Sequence, residues 1–106
     1  MELLNKHIKE LTEACIVYQV KELFAFGSIL SDQFNAESDI DFIVSIISTD
    51  PIEYAENYFA LKFELEKIFN RKIDLLEQKA IKNKVFKNLI DQKKKLIYER
   101  GNIGLA

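Results

Sequence analysis

The segment Asp39–Ser48, DIDFIVSIIS, constrains this chain more than any other stretch. Six of its ten residues are Ile, Val or Phe, the composition of a buried strand. Two aspartates open it, Asp39 and Asp41, and residues two apart on a strand point to the same face. The strand is therefore expected inside a covered sheet, with its acidic end at the rim of the core. Adjacent carboxylates repel each other, an arrangement tolerable when water or a cation neutralises it. All-oxygen ligands favour a hard cation, Mg²⁺ first.

The rest of the chain reads as alternating helices and strands. Leu4, Ile8, Leu11, Cys15 and Tyr18 follow helical spacing, which predicts an amphipathic helix over residues 2 to 18. Val20–Phe26 is short and apolar and ends at Gly27, as a buried strand does. Ser28–Phe34 is expected to be a short helix, and Asn35–Ser38 a turn. Asp50-Pro51 opens the next helix, Asp50 as N-cap and Pro51 in the first turn. That helix runs to about Phe69, with Tyr54, Tyr58, Leu61, Leu65 and Ile68 along one face. Lys72–Glu77 predicts a third strand. Residues 81 to 92 predict a last helix with Ile81, Val85 and Leu89 as its stripe, and Leu96–Tyr98 a short extended tail. The order implies an α/β (α+β) fold, a small mixed sheet with helices packed on it, in one domain covering 1–106. Strand directions are not settled at this level, though the short link from Gly27 to Asp39 could serve an antiparallel pair and the helix between the second and third strands suits a parallel crossover.

Asp74 repeats the acidic pattern, since it interrupts the apolar strand Ile73-Asp74-Leu75-Leu76. An acid there is costly unless paired. With that strand beside Asp39–Ser48, the three aspartates form one cluster, enough for two Mg²⁺ ions in a phosphoryl displacement. Gly27-Ser28 follows the first strand. Glycine lets the backbone turn sharply and approach a ligand closely, and Ser28 adds a hydroxyl and an N–H at a helix start suited to phosphate.

Gly27-Ser28, ten intervening residues and Asp39-Ile40-Asp41 together resemble the signature of the DNA polymerase β-like nucleotidyltransferase superfamily. With Asp74, the SDIDF segment and the KKKLIYER ending, the chain looks like the minimal nucleotidyltransferase (MNT) family over nearly its whole length. The resemblance implies the polymerase β palm-like nucleotidyltransferase fold. It also implies catalysis and metal binding by Asp39, Asp41 and Asp74, and nucleotide binding by Gly27 and Ser28. The cofactor would be Mg²⁺, two ions, with ATP as substrate. Members often accompany a HEPN-domain partner as its antitoxin, and some transfer AMP to a tyrosine of it. One departure stands out: many members carry Arg-Gly soon after the Gly-Ser, where this chain has Ile29-Leu30-Ser31-Asp32-Gln33.

Composition narrows the alternatives. Net charge is −2, and apart from Lys93, Lys94 and Lys95 no basic cluster argues for a stable grip on duplex nucleic acid. No apolar run reaches the roughly 20 residues of a membrane span, and the charged N-terminus is unlike a signal peptide. A lone cysteine, Cys15, cannot form an internal disulfide and suits a cytoplasmic setting. Cys15 reads as core and His7 as a boundary residue. The lysine trio reads as a solvated helix end, with one lysine reaching the triphosphate or a partner as the sharper option. Homo-oligomerisation stays open. Two functions compete with protein adenylylation: nucleotide transfer to a small molecule, which usually needs an extra helical domain, and neutralisation of a HEPN ribonuclease by contact alone.

Overall fold

A computed structural model describes residues 2–101. Four strands form one sheet: β1 (Val20–Phe26), β2 (Ile40–Ile46), β3 (Ile73–Glu77) and β4 (Lys95–Glu99), in spatial order β3-β2-β1-β4. The helices are α1 (Glu2–Lys6), α2 (Ile8–Val17), α3 (Pro51–Phe69) and α4 (Lys84–Lys93). β1 and β2 pair antiparallel, whereas β2 and β3 pair parallel because α3 carries the chain back between them. The extended tail expected near the end is β4, paired antiparallel with β1.

Alternation along the strands separates two faces. Leu23 and Ala25 of β1, Phe42 and Val44 of β2, and Ile73 and Leu75 of β3 enter the main core. Leu4, Leu11, Ala14 and Cys15 meet them there from α1 and α2, and Tyr54, Leu61, Leu65 and Phe69 from α3. The opposite face carries two cross-strand rows: Phe24, Ile43 and Leu76, and then Phe26, Asp41 and Asp74.

α3 begins as its sequence prescribes. The Asp50 side chain accepts from the Ile52 N–H, and Pro51 occupies the first turn, where its missing N–H costs nothing. It ends at Asn70, whose left-handed conformation (φ 51°) halts the helix. The Tyr58 hydroxyl donates to the Leu75 carbonyl and so ties α3 to edge strand β3.

Three expectations need correction. The first helix is not continuous from 2 to 18, because His7 leaves the helical conformation. There its ring packs edge-on against Phe69 while Nδ1 meets Glu10 at 3.0 Å. The segment after Gly27 closes a single 3₁₀ turn, Gly27–Leu30, rather than a helix reaching Phe34. The last helix starts at Lys84, with the Asn83 side chain accepting from the Phe86 N–H, so Ile81 lies outside it. Its buried residue is Ile90, whereas Val85 and Leu89 of the expected stripe are exposed. The periodicity identified the helix correctly but could not reveal that the helix would leave most of its apolar face uncovered. Among the described residues, no helix is long and apolar enough to cross a membrane.

Candidate active site

The pairing pattern brings the motif residues to one end of the sheet. β1 runs antiparallel to β2, so its C-terminal end, with Gly27 next, lies beside the start of β2. β3 runs parallel to β2, so its start lies there too. Phe26 pairs with Asp41, and Asp41 pairs with Asp74. Asp39 stands just before β2, two residues from Asp41.

Gly27 and Asp41 meet closely. Gly27 has φ +77°, and a Cβ built on it would lie 2.5 Å from Asp41 Oδ2. The glycine thus serves twice, in a backbone conformation that L side chains rarely adopt and as space for a carboxylate. Ser28 is half-buried in the 3₁₀ turn, and its carbonyl accepts from both the Ser31 N–H and the Ser31 hydroxyl at 2.9 Å. Gly27, Ser28, Leu30, Ser31, Gln33 and Lys93 line a cleft of about 580 Å³. Asp41 adjoins this cleft through its close approach to Gly27.

Burial pushes the Asp41 carboxyl up from its ordinary 3.8 to about 6, and the hydrogen-bonding Asp74 carboxyl and the charges of Asp74 and Asp39 push it the same way. Negative charge is therefore crowded at Asp41, the situation a bound cation relieves. Asp39 stands apart from the other two. Its Oδ2 lies 3.8 Å from Lys72 Nζ, and both side chains are substantially exposed, so the pair contributes only about 0–1 kcal/mol and is readily exchanged for a stronger partner. Among the described residues, no three His, Cys, Asp or Glu side chains are gathered as a ready-made metal cage. The close pair is Asp41 and Asp74; Asp39 would complete the set on release from Lys72. The oxygen-only donors fit a hard cation.

This raised pKa has a measurable consequence. Below about pH 4, Asp41 is protonated in the folded and unfolded chain alike, so its full contribution to stability is present. As pH rises through 6, the folded state must carry a charge that the unfolded chain carries more easily, and the contribution is lost. The melting temperature of wild type relative to Asp41→Asn should fall between pH 4 and 6 in the presence of a chelator. Added Mg²⁺ should flatten that difference. Thermal melts of both chains across this window, with and without metal, check it.

One contributor was missed in the sequence, and a second was left there as one of three lysines. Arg71 Nη1 donates to the carbonyls of Asn35 (3.0 Å) and Ser38 (2.8 Å), while its guanidinium lies over the Phe34 ring. It fastens the turn before Asp39 to the start of β3. Only the fold could reveal this, because the partners are 33 and 36 residues away. Lys93 is the second. The lysine trio divides its duties: Lys94 sits over Phe24 and pairs with Asp91, Lys95 enters β4, and Lys93 lines the Gly27–Ser28 cleft. Residues 79–95 hold seven lysines against the single acid Asp91, and of these Lys93 lines the cleft.

Known proteins are similar to this chain in sequence and in fold. Two proteins of Methanocaldococcus jannaschii, each provisionally named a protein adenylyltransferase, are 37% and 35% identical over 91 residues, 86% of this chain and 87% of theirs. A toxin–antitoxin structure with AMP-PNP superposes with TM-score 0.67 at 17% identity, covering 90% of this chain and 75% of that one. A Shewanella oneidensis complex, described as a tri-AMPylated HEPN toxin with its MNT antitoxin, gives 0.62 at 16% identity, covering 92% and 74%. A structure described as a minimal nucleotidyltransferase gives 0.65 at 16% identity, covering 88% and 91%. These likenesses show the fold, and the match of residues 6–102 to the polymerase beta nucleotidyltransferase model shows the lineage: the chain belongs to that nucleotidyltransferase family.

Proposed function

We propose that this chain transfers AMP from ATP to a tyrosine hydroxyl of a HEPN-domain partner and thereby acts as its antitoxin. The observation that carries the reading is the row Phe26–Asp41–Asp74 with Gly27 pressed against Asp41. It sets a crowded carboxylate pair against Gly27, which lines a cleft together with Lys93. The AMP-linked names of the relatives and fold neighbours support the same chemistry.

Each residue has a role that follows from its place. Gly27 admits the triphosphate close to the backbone, and Ser28 offers its hydroxyl and N–H. Lys93 supplies the positive charge that the missing Arg-Gly would have provided. Asp39, Asp41 and Asp74 would hold two Mg²⁺ ions. Bound there, Mg²⁺ offsets the negative charge of the phosphates and of the oxygens that exchange at phosphorus. Asp74 is exposed on an edge strand, where it can accept the hydroxyl proton of the incoming acceptor. The acceptor oxygen bonds to the α-phosphorus, the bond from that phosphorus to the bridging oxygen breaks, and pyrophosphate leaves.

Incubating the HEPN partner with ATP, Mg²⁺ and this chain should raise the partner's mass by one or more AMP groups. An unchanged mass with the toxin still silenced would favour the second reading, neutralisation by contact. That reading draws on the Asp39–Lys72 pair, which holds one acid out of the cluster. Lys93→Ala should raise the KM for ATP about tenfold and affect kcat less, because a lysine on the phosphates aids binding before the reaction as well as during it. Steady-state kinetics with varied ATP test this.

A further inference from the structure

Beside the cleft lies a second space that the proposed chemistry leaves unused. It is a hollow of about 180 Å³ between the end of β1 and α4. Phe26, Phe86, Leu89 and Ile90 line it with Gly27 and Lys93, and its wall is almost wholly apolar. Gly27 and Lys93 line the phosphate cleft as well, so the two spaces share a border. α4 accordingly keeps its apolar side chains in the open: Val85, Phe86 and Leu89 are 70%, 45% and 51% exposed. An apolar cavity of about 150 Å³ suffices for benzene, so this hollow suits one flat ring system.

We propose that the hollow receives the base of the nucleoside triphosphate and holds it by stacking and apolar contact, without reading its edge. The inference rests on the Gly27–Ser28 cleft being the phosphate site, and it adds where the base lies and how little it is discriminated. Position favours a base over an acceptor side chain. Across the sheet, Phe26 and Asp74 flank Asp41 on opposite sides. The hollow is on the Phe26 side, shared with the phosphate cleft, whereas the acceptor approaches the exposed Asp74.

The wall chemistry then sets specificity. Sites reject a wrong substrate by factors of about 10⁴–10⁵ only when that substrate leaves their buried polar groups unpaired. This wall has scarcely any polar groups to leave unpaired. Stacking tolerates any base because every base has a π-face. ATP and GTP should therefore bind within about tenfold of each other, with CTP weaker because its single ring covers less of the wall.

Direct binding of Mg-ATP, Mg-GTP, Mg-CTP and Mg-tripolyphosphate to wild type, Phe86→Ala, Phe86→Tyr and Leu89→Gln tests the proposal. Both positions are half-exposed, so the variants should fold, as melting curves can verify. Phe86→Ala should weaken ATP and GTP about tenfold or more, Leu89→Gln should weaken them in the same direction, and Phe86→Tyr should restore binding. Tripolyphosphate should bind all four chains equally. If tripolyphosphate fails to bind while ATP still depends on Phe86, the phosphate assignment fails and the base hollow stands. Unchanged ATP affinity in both Phe86→Ala and Leu89→Gln overturns the proposal, whether or not partner binding falls. So does a preference for ATP over GTP beyond a hundredfold.

Discussion

Asp41→Asn should abolish nucleotide transfer, by about 10³-fold or more, and leave the metal-free protein as stable as wild type or more so. Asparagine keeps the size and much of the hydrogen bonding of aspartate but removes its charge. Activity falls because a divalent ion loses a charged ligand and the moving charge of the reaction loses its counterweight. Stability holds because Asp41 is the carboxyl that burial and its neighbours Asp74 and Asp39 make hardest to ionise. A solvated strand-end aspartate would behave differently, with a change within about 0.5 kcal/mol and no effect on transfer. The two outcomes separate when activity toward the proposed HEPN partner and the melting curve are measured on the same preparation. Full transfer by Asp41→Asn would sink the catalytic assignment.

Gly27→Ala should damage both fold and chemistry through a single methyl group. At φ +77° any L side chain is strained, a penalty of about 1 kcal/mol or more. The added Cβ would also occupy space 2.5 Å from Asp41 Oδ2, and a carboxylate is more easily displaced than the backbone beneath it. Transfer should fall by about 10²-fold, the effect of misplacing a reacting group by about 1 Å. The melting temperature should fall by several degrees at the same time. Gly101 provides the comparison. It has φ +85°, but nothing lies within 4 Å of where its Cβ would be. Gly101→Ala should share the backbone penalty and spare the activity. If the two glycine variants transferred equally well, close approach to Asp41 would have no part in the site.

Much of this molecule is written locally. The strand Val20–Phe26 and the helix from Pro51 to Phe69 have the boundaries that their residues prescribe, because turn and cap chemistry acts over one to three residues. The motif spacing likewise needs no fold to be seen. At two places the deciding partner is distant in sequence. His7 breaks its helix in contact with Phe69, and the turn before Asp39 is held by Arg71. Asp39 itself shows the limit: its spacing from Asp41 is fixed by sequence, yet in space it is paired with Lys72, across the strand boundary.

The sequence by itself determined the elements, their order and the acids that resist explanation as core. Strand direction was decided only by tertiary pairing. An antiparallel β1–β2 pair and a parallel β2–β3 pair are what place Gly27, Asp41 and Asp74 at one end of the sheet. Local propensity carries no sign for direction, which depends on how α3 covers the core face and carries the chain back to begin β3 beside β2. The same holds for Lys93. In the sequence it is one of three equivalent lysines, and only the packing of Lys94 on Phe24 and the entry of Lys95 into β4 leave it at the cleft.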